Sequence, residues 1–122
     1  MSRIEFNDLV TEVLVSIKGM KKGSEEIIFT TASGKKFKMY HMQDCCERVS
    51  VEEVIGGPIE GLLNCPIMIA REDVSSGNSP DGDDSTTWTF YTLATVKATV
   101  VIRWLGESNG YYSERVDFEV LP

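Results

Sequence analysis

Long apolar runs are missing from this chain of 122 residues. TVVI and PIMIA fall far short of the roughly 20 apolar residues that a membrane-crossing helix takes. The opening residues, MSRIEFNDLV, carry acids where a signal peptide has its apolar stretch, so a soluble protein made in the cytosol is expected. Cysteine is scarce and odd in number, three in all, which does not make a disulfide framework and fits a reducing compartment. Basic charge is short as well: 12 lysines and arginines stand against 19 acids, for a net charge of −7. That balance speaks against nucleic acid as a partner, because phosphate neutralisation takes a clustered basic face. The lysines that do gather, in KGMKK (18–22) and KKFK (35–38), fall at expected turns, where such clusters solubilise. Phosphate-binding glycine loops are absent, and a calcium loop read from Asp81 meets Thr86 and Thr92 where glycine and glutamate belong.

Hydrophobic residues at 42% and charged residues at 25% suit one globular domain spanning 1–122. The dominant period is two, the signature of strands. Val13, Val15 and Ile17 alternate in LVTEVLVSIKG, a first strand whose beginning reads equally as a helical turn capped by Asn7 or Asp8. SEEIIFTT and FKMYH form an antiparallel hairpin about Ser33-Gly34, with Phe37, Met39 and His41 alternating against Lys38, Tyr40 and Met42. SVEE matches a capping box, Ser50 with Glu53, and predicts a short helix stopped by Gly56-Gly57. PIEGLLN predicts another, with Pro58 in the first turn and Asn64 at its end. PIMIAREDV returns to strand, with Ile67, Ile69 and Arg71 on one face. Residues 75–86, SSGNSPDGDDST, lack any apolar side chain and are expected to form a mobile polar loop.

Three β segments follow, the last two expected to join at Asn109-Gly110, the pair that a type I′ hairpin turn prefers. Alternation sets Trp88 and Phe90 on one face and Tyr91 on the other. The expected fold is mainly β: an antiparallel sandwich or partly open barrel with one or two short helices.

Chemistry concentrates in MYHMQDCCERVSVEE, which holds the only histidine and two of the cysteines. His41, Cys45, Cys46 and Cys65 are the available metal ligands. Adjacent cysteines on extended backbone point to opposite faces, and no C-x-x-C pair exists, so neither metal nor any other cofactor is expected. A bond between neighbouring cysteines would close a small ring against ordinary disulfide geometry. The pair is therefore read as thiols, one packed inward, with Asp44 capping the turn. Any triad would have to use His41 as its base, and nothing local marks a cysteine as activated.

Taken together, EEIIFTTASGKKFKMYHMQDCCERVSVEEV and WTFYTLATVKATVVIRWLGESNGYYSERVDFE resemble a family of small uncharacterised proteins of bacteriophages and their bacterial hosts, across about residues 9–119. The most specific blocks are YHMQDCCE and RWLGESNGYYSE. The resemblance implies a setting and no activity. In that setting, the expectation is a non-enzymatic cytoplasmic protein that inhibits or sequesters a host protein or small signalling molecule. Its expected contact residues are Arg103, Trp104, Glu107, Asn109, Tyr111 and Tyr112, with His41, Asp44 and Glu47 on the facing turn. An exposed β edge would also allow a homo-oligomer. A metal- or thiol-dependent enzyme centred on His41 and the cysteines, and a structural protein of a virion, are the alternatives.

Overall fold

A computed structural model describes residues 4–78, 85–109 and 112–122. Among these residues eight strands form two antiparallel sheets that do not close into a barrel. The first sheet has the order β1-β2-β3-β8, from Leu14–Lys18, Glu26–Thr31, Lys36–Tyr40 and Asp117–Leu121. The second has the order β4-β7-β6-β5, from Arg48–Gly56, Thr99–Ser108, Ser85–Ala94 and Ile69–Asn78. Two 3₁₀ turns, Phe6–Leu9 and Ile59–Leu62, are the only helical elements among the described residues. The expected mainly β fold is present, and its helices shrink to these single turns. The described residues contain no helix long and apolar enough to cross a membrane.

Alternation builds the core. Ile27, Phe29, Phe37 and Met39 point inward from the first sheet and meet Val49, Val51, Tyr91, Leu93, Val100, Ile102 and Trp104 from the second. The β2–β3 hairpin has the expected register, with Phe29 opposite Phe37 and Ile27 opposite Met39. Its turn uses Gly34 at a φ of 91°, a backbone region that side chains other than glycine enter at a cost. Phe6, from the first 3₁₀ turn, fills one end of the core, its ring 4.6 Å from Tyr91 and 5.5 Å from Phe118.

Four local expectations are corrected. SVEE is not a helix start but part of β4, because Val49 and Val51 are β-branched and have an apolar layer to enter. Ser50 and Glu53 then lie on the solvent side, and Glu53 forms an ion pair with Arg103 rather than a cap. In PIMIAREDV the pattern slips: Ile67 is buried just after the Val13–Pro66 bridge, β5 begins two residues later, and Ile69 faces solvent. Polar residues at 75–78 and 85–86 extend the β5–β6 ladder, with Ser75 opposite Trp88 and Asn78 opposite Ser85. Residues 79–84, the centre of the expected loop, lie outside the described residues.

The fourth correction concerns the Asn109-Gly110 hairpin. β7 and β8 do not pair; β8 lies in the other sheet against β3. The chain passes from the second sheet to the first between β7 and β8, where Gly110 lies outside the described residues and Val116 is buried. The connection from β3 to β4 crosses in the opposite sense. Because β3 neighbours β8 and β4 neighbours β7, these two crossings belong to one two-stranded ribbon folded over a corner.

The core assignment has a direct test in urea unfolding. Ile102→Ala, fully buried on β7, is expected to cost about 2–5 kcal/mol. Ile55→Ala, 45% exposed on the neighbouring strand, should stay within about 0.5 kcal/mol of the parent.

Candidate functional site

The corner of the ribbon is made by residues 41–47 on one strand and 112–116 on the other. At its centre sits Glu47, whose side chain is fully shielded from solvent. Its carboxylate accepts four hydrogen bonds: from His41 Nε2 at 2.7 Å, the Asp44 backbone N–H at 2.8 Å, the Cys45 N–H at 2.9 Å and Gln43 Nε2 at 3.3 Å. Gln43 also donates to the carbonyl of Glu47 at 2.7 Å. Burial alone would raise the Glu47 pKa. The bond from His41 and the backbone N–H groups of Cys45 and Asp44 outweigh burial and hold it at about 2, down from 4.5.

His41 joins the two crossings. Its Nδ1 lies 2.6 Å from the carbonyl oxygen of Arg115 while Nε2 addresses Glu47. Both ring nitrogens are thus engaged, one by a backbone carbonyl and the other by a carboxylate. Neither nitrogen is left to take a proton from a thiol or to hold a metal. Met42 adds a second tie, its N–H donating to Asp117 at 3.0 Å.

The cysteines depart from their expected placement. Cys45 and Cys46 are both exposed and are bonded to each other. The turn that wraps Glu47 directs both side chains outward, so neither packs inward. Asp44 does not cap the turn through its carboxylate; Glu47 does so through its own. Cys65 is buried beside the Val13–Pro66 bridge. The described residues hold no group of three or more His, Cys, Asp and Glu side chains arranged around a metal position.

The second strand of the corner has its own buried carboxylate. Glu114 accepts from Thr87 Oγ1 at 2.7 Å, from Ser85 Oγ at 3.2 Å and from Ser108 Oγ. It pins the crossing segment across β6 and β7. Gly106 makes this contact possible, because a Cβ there would lie 2.7 Å from the Glu114 Cβ and 2.8 Å from its carbonyl oxygen.

The outer faces of the two sheets differ in character. On the first sheet Lys38 pairs with Glu26 at 3.2 Å and stands opposite Glu119, and its ammonium lies 4.3 Å from the Tyr40 ring centre. On the second sheet, one row across the strands reads Glu53, Arg103, Phe90, Asp73, and the next reads Ser50, Leu105, Trp88, Ser75. Trp88 and Phe90 stack with ring centres 6.3 Å apart. The Arg103 guanidinium lies over both, 4.6 Å and 5.9 Å from the ring centres, and is held from the far side by Glu53.

The expected contact residues therefore separate. Arg103 lies on this outer face with Glu107, which stands opposite Arg48. Trp104 is corrected: its indole is fully buried and its Nε1–H donates to Met39 Sδ at 3.1 Å, because alternation along β7 turns it toward the first sheet. Asn109 follows β7 at the surface and Tyr112 is half-buried in the crossing, while Tyr111 lies outside the described residues. His41, Asp44 and Glu47 come together, but as the corner. The alternation that set Trp88 and Phe90 on one face is observed, with Tyr91 buried on the other. Gln43 and Glu114 were not anticipated; their partners lie on other elements or act through backbone groups, and no spacing announces them.

The corner has a pH signature. A depressed folded-state pKa contributes stability that is complete above 4.5 and is lost as pH falls through about 2. Urea midpoints measured across that interval should fall more steeply for the parent than for Glu47→Gln, which lacks the titrating group. Parallel curves would contradict the assignment.

No curated protein and no solved structure matches the chain. Residues 7–118, which include both crossings and every strand through the start of β8, match the domain of unknown function DUF7448, and the chain belongs to that family.

Proposed function

We propose that the protein is a non-enzymatic binding module that inhibits or sequesters a host protein through the outer face of its second sheet. The observation that carries this reading is the Trp88–Phe90–Arg103 cluster. A sheet face needed only for solubility resembles that of the first sheet, with lysines paired to glutamates. Tryptophan and arginine, by contrast, are the residue types that dominate binding energy at protein interfaces. Stacking beneath the guanidinium and the Glu53 pair restrict the rotamers of these side chains, so little further ordering is needed when a partner arrives. The face is broad rather than enclosed, with Leu105, Val101 and the exposed Ile55 extending it, which favours a protein over a small signalling molecule. A phage or prophage origin and a cytoplasmic site of action belong to the proposal. They are supported by the resemblance of the YHMQDCCE and RWLGESNGYYSE blocks.

The test is native mass spectrometry of tagged protein purified gently from a bacterial host. The parent should carry one host protein in a fixed ratio. Trp88→Ala combined with Arg103→Ala should reduce that partner at least tenfold without shifting the urea midpoint appreciably, since both side chains lie on the solvent face. Lys36→Glu with Lys38→Glu, on the opposite face, should leave it in place. A partner that survives the first pair and is lost with the second would overturn the assignment, as would a parent that carries nothing.

A further inference from the structure

The two long sides of the sandwich are closed to different degrees. On the side of β1 and β4 the chain knits the sheets together: Gly23 N–H donates to the Val51 carbonyl at 2.7 Å, Val51 N–H to Ser24 at 2.8 Å, and Asn64 N–H to Leu14 at 2.7 Å. On the opposite side β5 and β8 are the edge strands, and among the described residues β5 pairs only with β6 and β8 only with β3. Residues 11–12 bond to Ile67, just before β5 begins. Beyond that point the two edges flank an open cleft of about 980 Å³, continued by a smaller one of about 360 Å³. The two share Glu72, Arg115 and Val116 as walls, so they form one groove.

The groove has the period of a strand. Ala70, Glu72, Val74 and Ser76, the residues of β5 that turn toward the sandwich interior, line it in succession. At 3.3 Å per residue this stretch is about 20 Å long. Val74 is the informative one: it lies on the same face as buried Ala70, yet it is 59% exposed because nothing in the first sheet reaches over it. Acids dominate the walls, with Glu5, Glu72, Asp117 and Glu119 in the larger part and Glu114 in the smaller. The two arginines are already engaged, Arg71 with Asp73 at 3.0 Å and Arg115 with Asp117 at 3.9 Å. Glu72 is exposed to the groove and accepts from the Tyr91 hydroxyl at 2.6 Å.

We propose that this groove binds an extended, lysine- or arginine-bearing peptide segment of a partner protein as an added strand on the free edge of β5. Alternate side chains of such a segment would cover Val74 and reach Glu72, while its backbone satisfies the edge groups that β6 leaves open. A basic occupant is favoured over a second copy of this chain, because two copies would each bring a net charge of −7 to the contact. The groove is separate from the Trp88–Arg103 face, so either surface can fail its test without affecting the other.

The probe is a fluorescent heptapeptide of alternating lysine and valine, followed by anisotropy at low salt and by amide hydrogen exchange of the protein. It should bind and slow exchange within residues 70–76. A glutamate–valine peptide, and a lysine–valine peptide methylated at every backbone nitrogen, should each bind at least tenfold more weakly. Glu72→Gln, which preserves an acceptor for Tyr91, should weaken the parent peptide at least threefold, and Val74→Lys at least tenfold, with urea midpoints unchanged. The proposal is overturned if no peptide binds, if the methylated peptide binds as tightly as the parent, or if both variants bind normally. It is equally overturned if residues 70–76 are already protected in a dimer of the free protein, which would make a second copy the occupant.

Discussion

The fold turns on one buried carboxylate. A pair of strands that leaves one sheet and enters the other must reverse direction without its edge groups going unpaired, and a buried backbone polar group without a partner is costly. Glu47 resolves this for the first crossing by gathering the N–H groups of Asp44 and Cys45 and the side chains of His41 and Gln43. The second crossing has its own buried carboxylate, Glu114. It is held to the first through the Arg115 carbonyl and His41, and to the second sheet through Glu114 and the hydroxyls of Ser85, Thr87 and Ser108.

The rest of the architecture follows from that corner. Once β8 is delivered beside β3, it becomes the edge of the first sheet, and β5 becomes the edge of the second on the same side of the molecule. One long side is then sewn by the β1–β2 turn and the other is left as a groove. The same geometry sorts the aromatics. Trp104 and Tyr91 enter the core, and Trp88 and Phe90 are left with Arg103 on the solvent face. Within the stretch that draws the eye in the sequence, His41 and the Cys45 backbone N–H thus serve the corner.

Much of this was legible in the residues. Period-two patterning gave the strands of the β2–β3 hairpin, the β character of the last third and the opposed faces of Trp88 and Tyr91. The misreadings share a cause. SVEE has the right residues for a helix cap, and only the apolar layer waiting for Val49 and Val51 makes it a strand. Asn109-Gly110 has the right residues for a hairpin, yet Val116 is buried within a crossing and Phe118 stands opposite Met39 on β3. Polar residues from Ser75 to Asn78 carry no burial signal but find backbone partners in β6. For the site, the sequence marked His41, Asp44 and Glu47 as neighbours, but not that Glu47 would be the buried hub. That role depends on Arg115, 74 residues from His41.

The central claim is that His41 and Glu47 act as one device that holds both crossings. A double-mutant cycle tests it most directly, with His41→Asn, Glu47→Gln and the pair compared by urea unfolding at neutral pH. If the device is real, the second replacement costs little once the first has been made, and the double variant is hardly less stable than either single one. Costs that simply add would mean that the two side chains stabilise the protein independently, and the corner would then have to be held by something else.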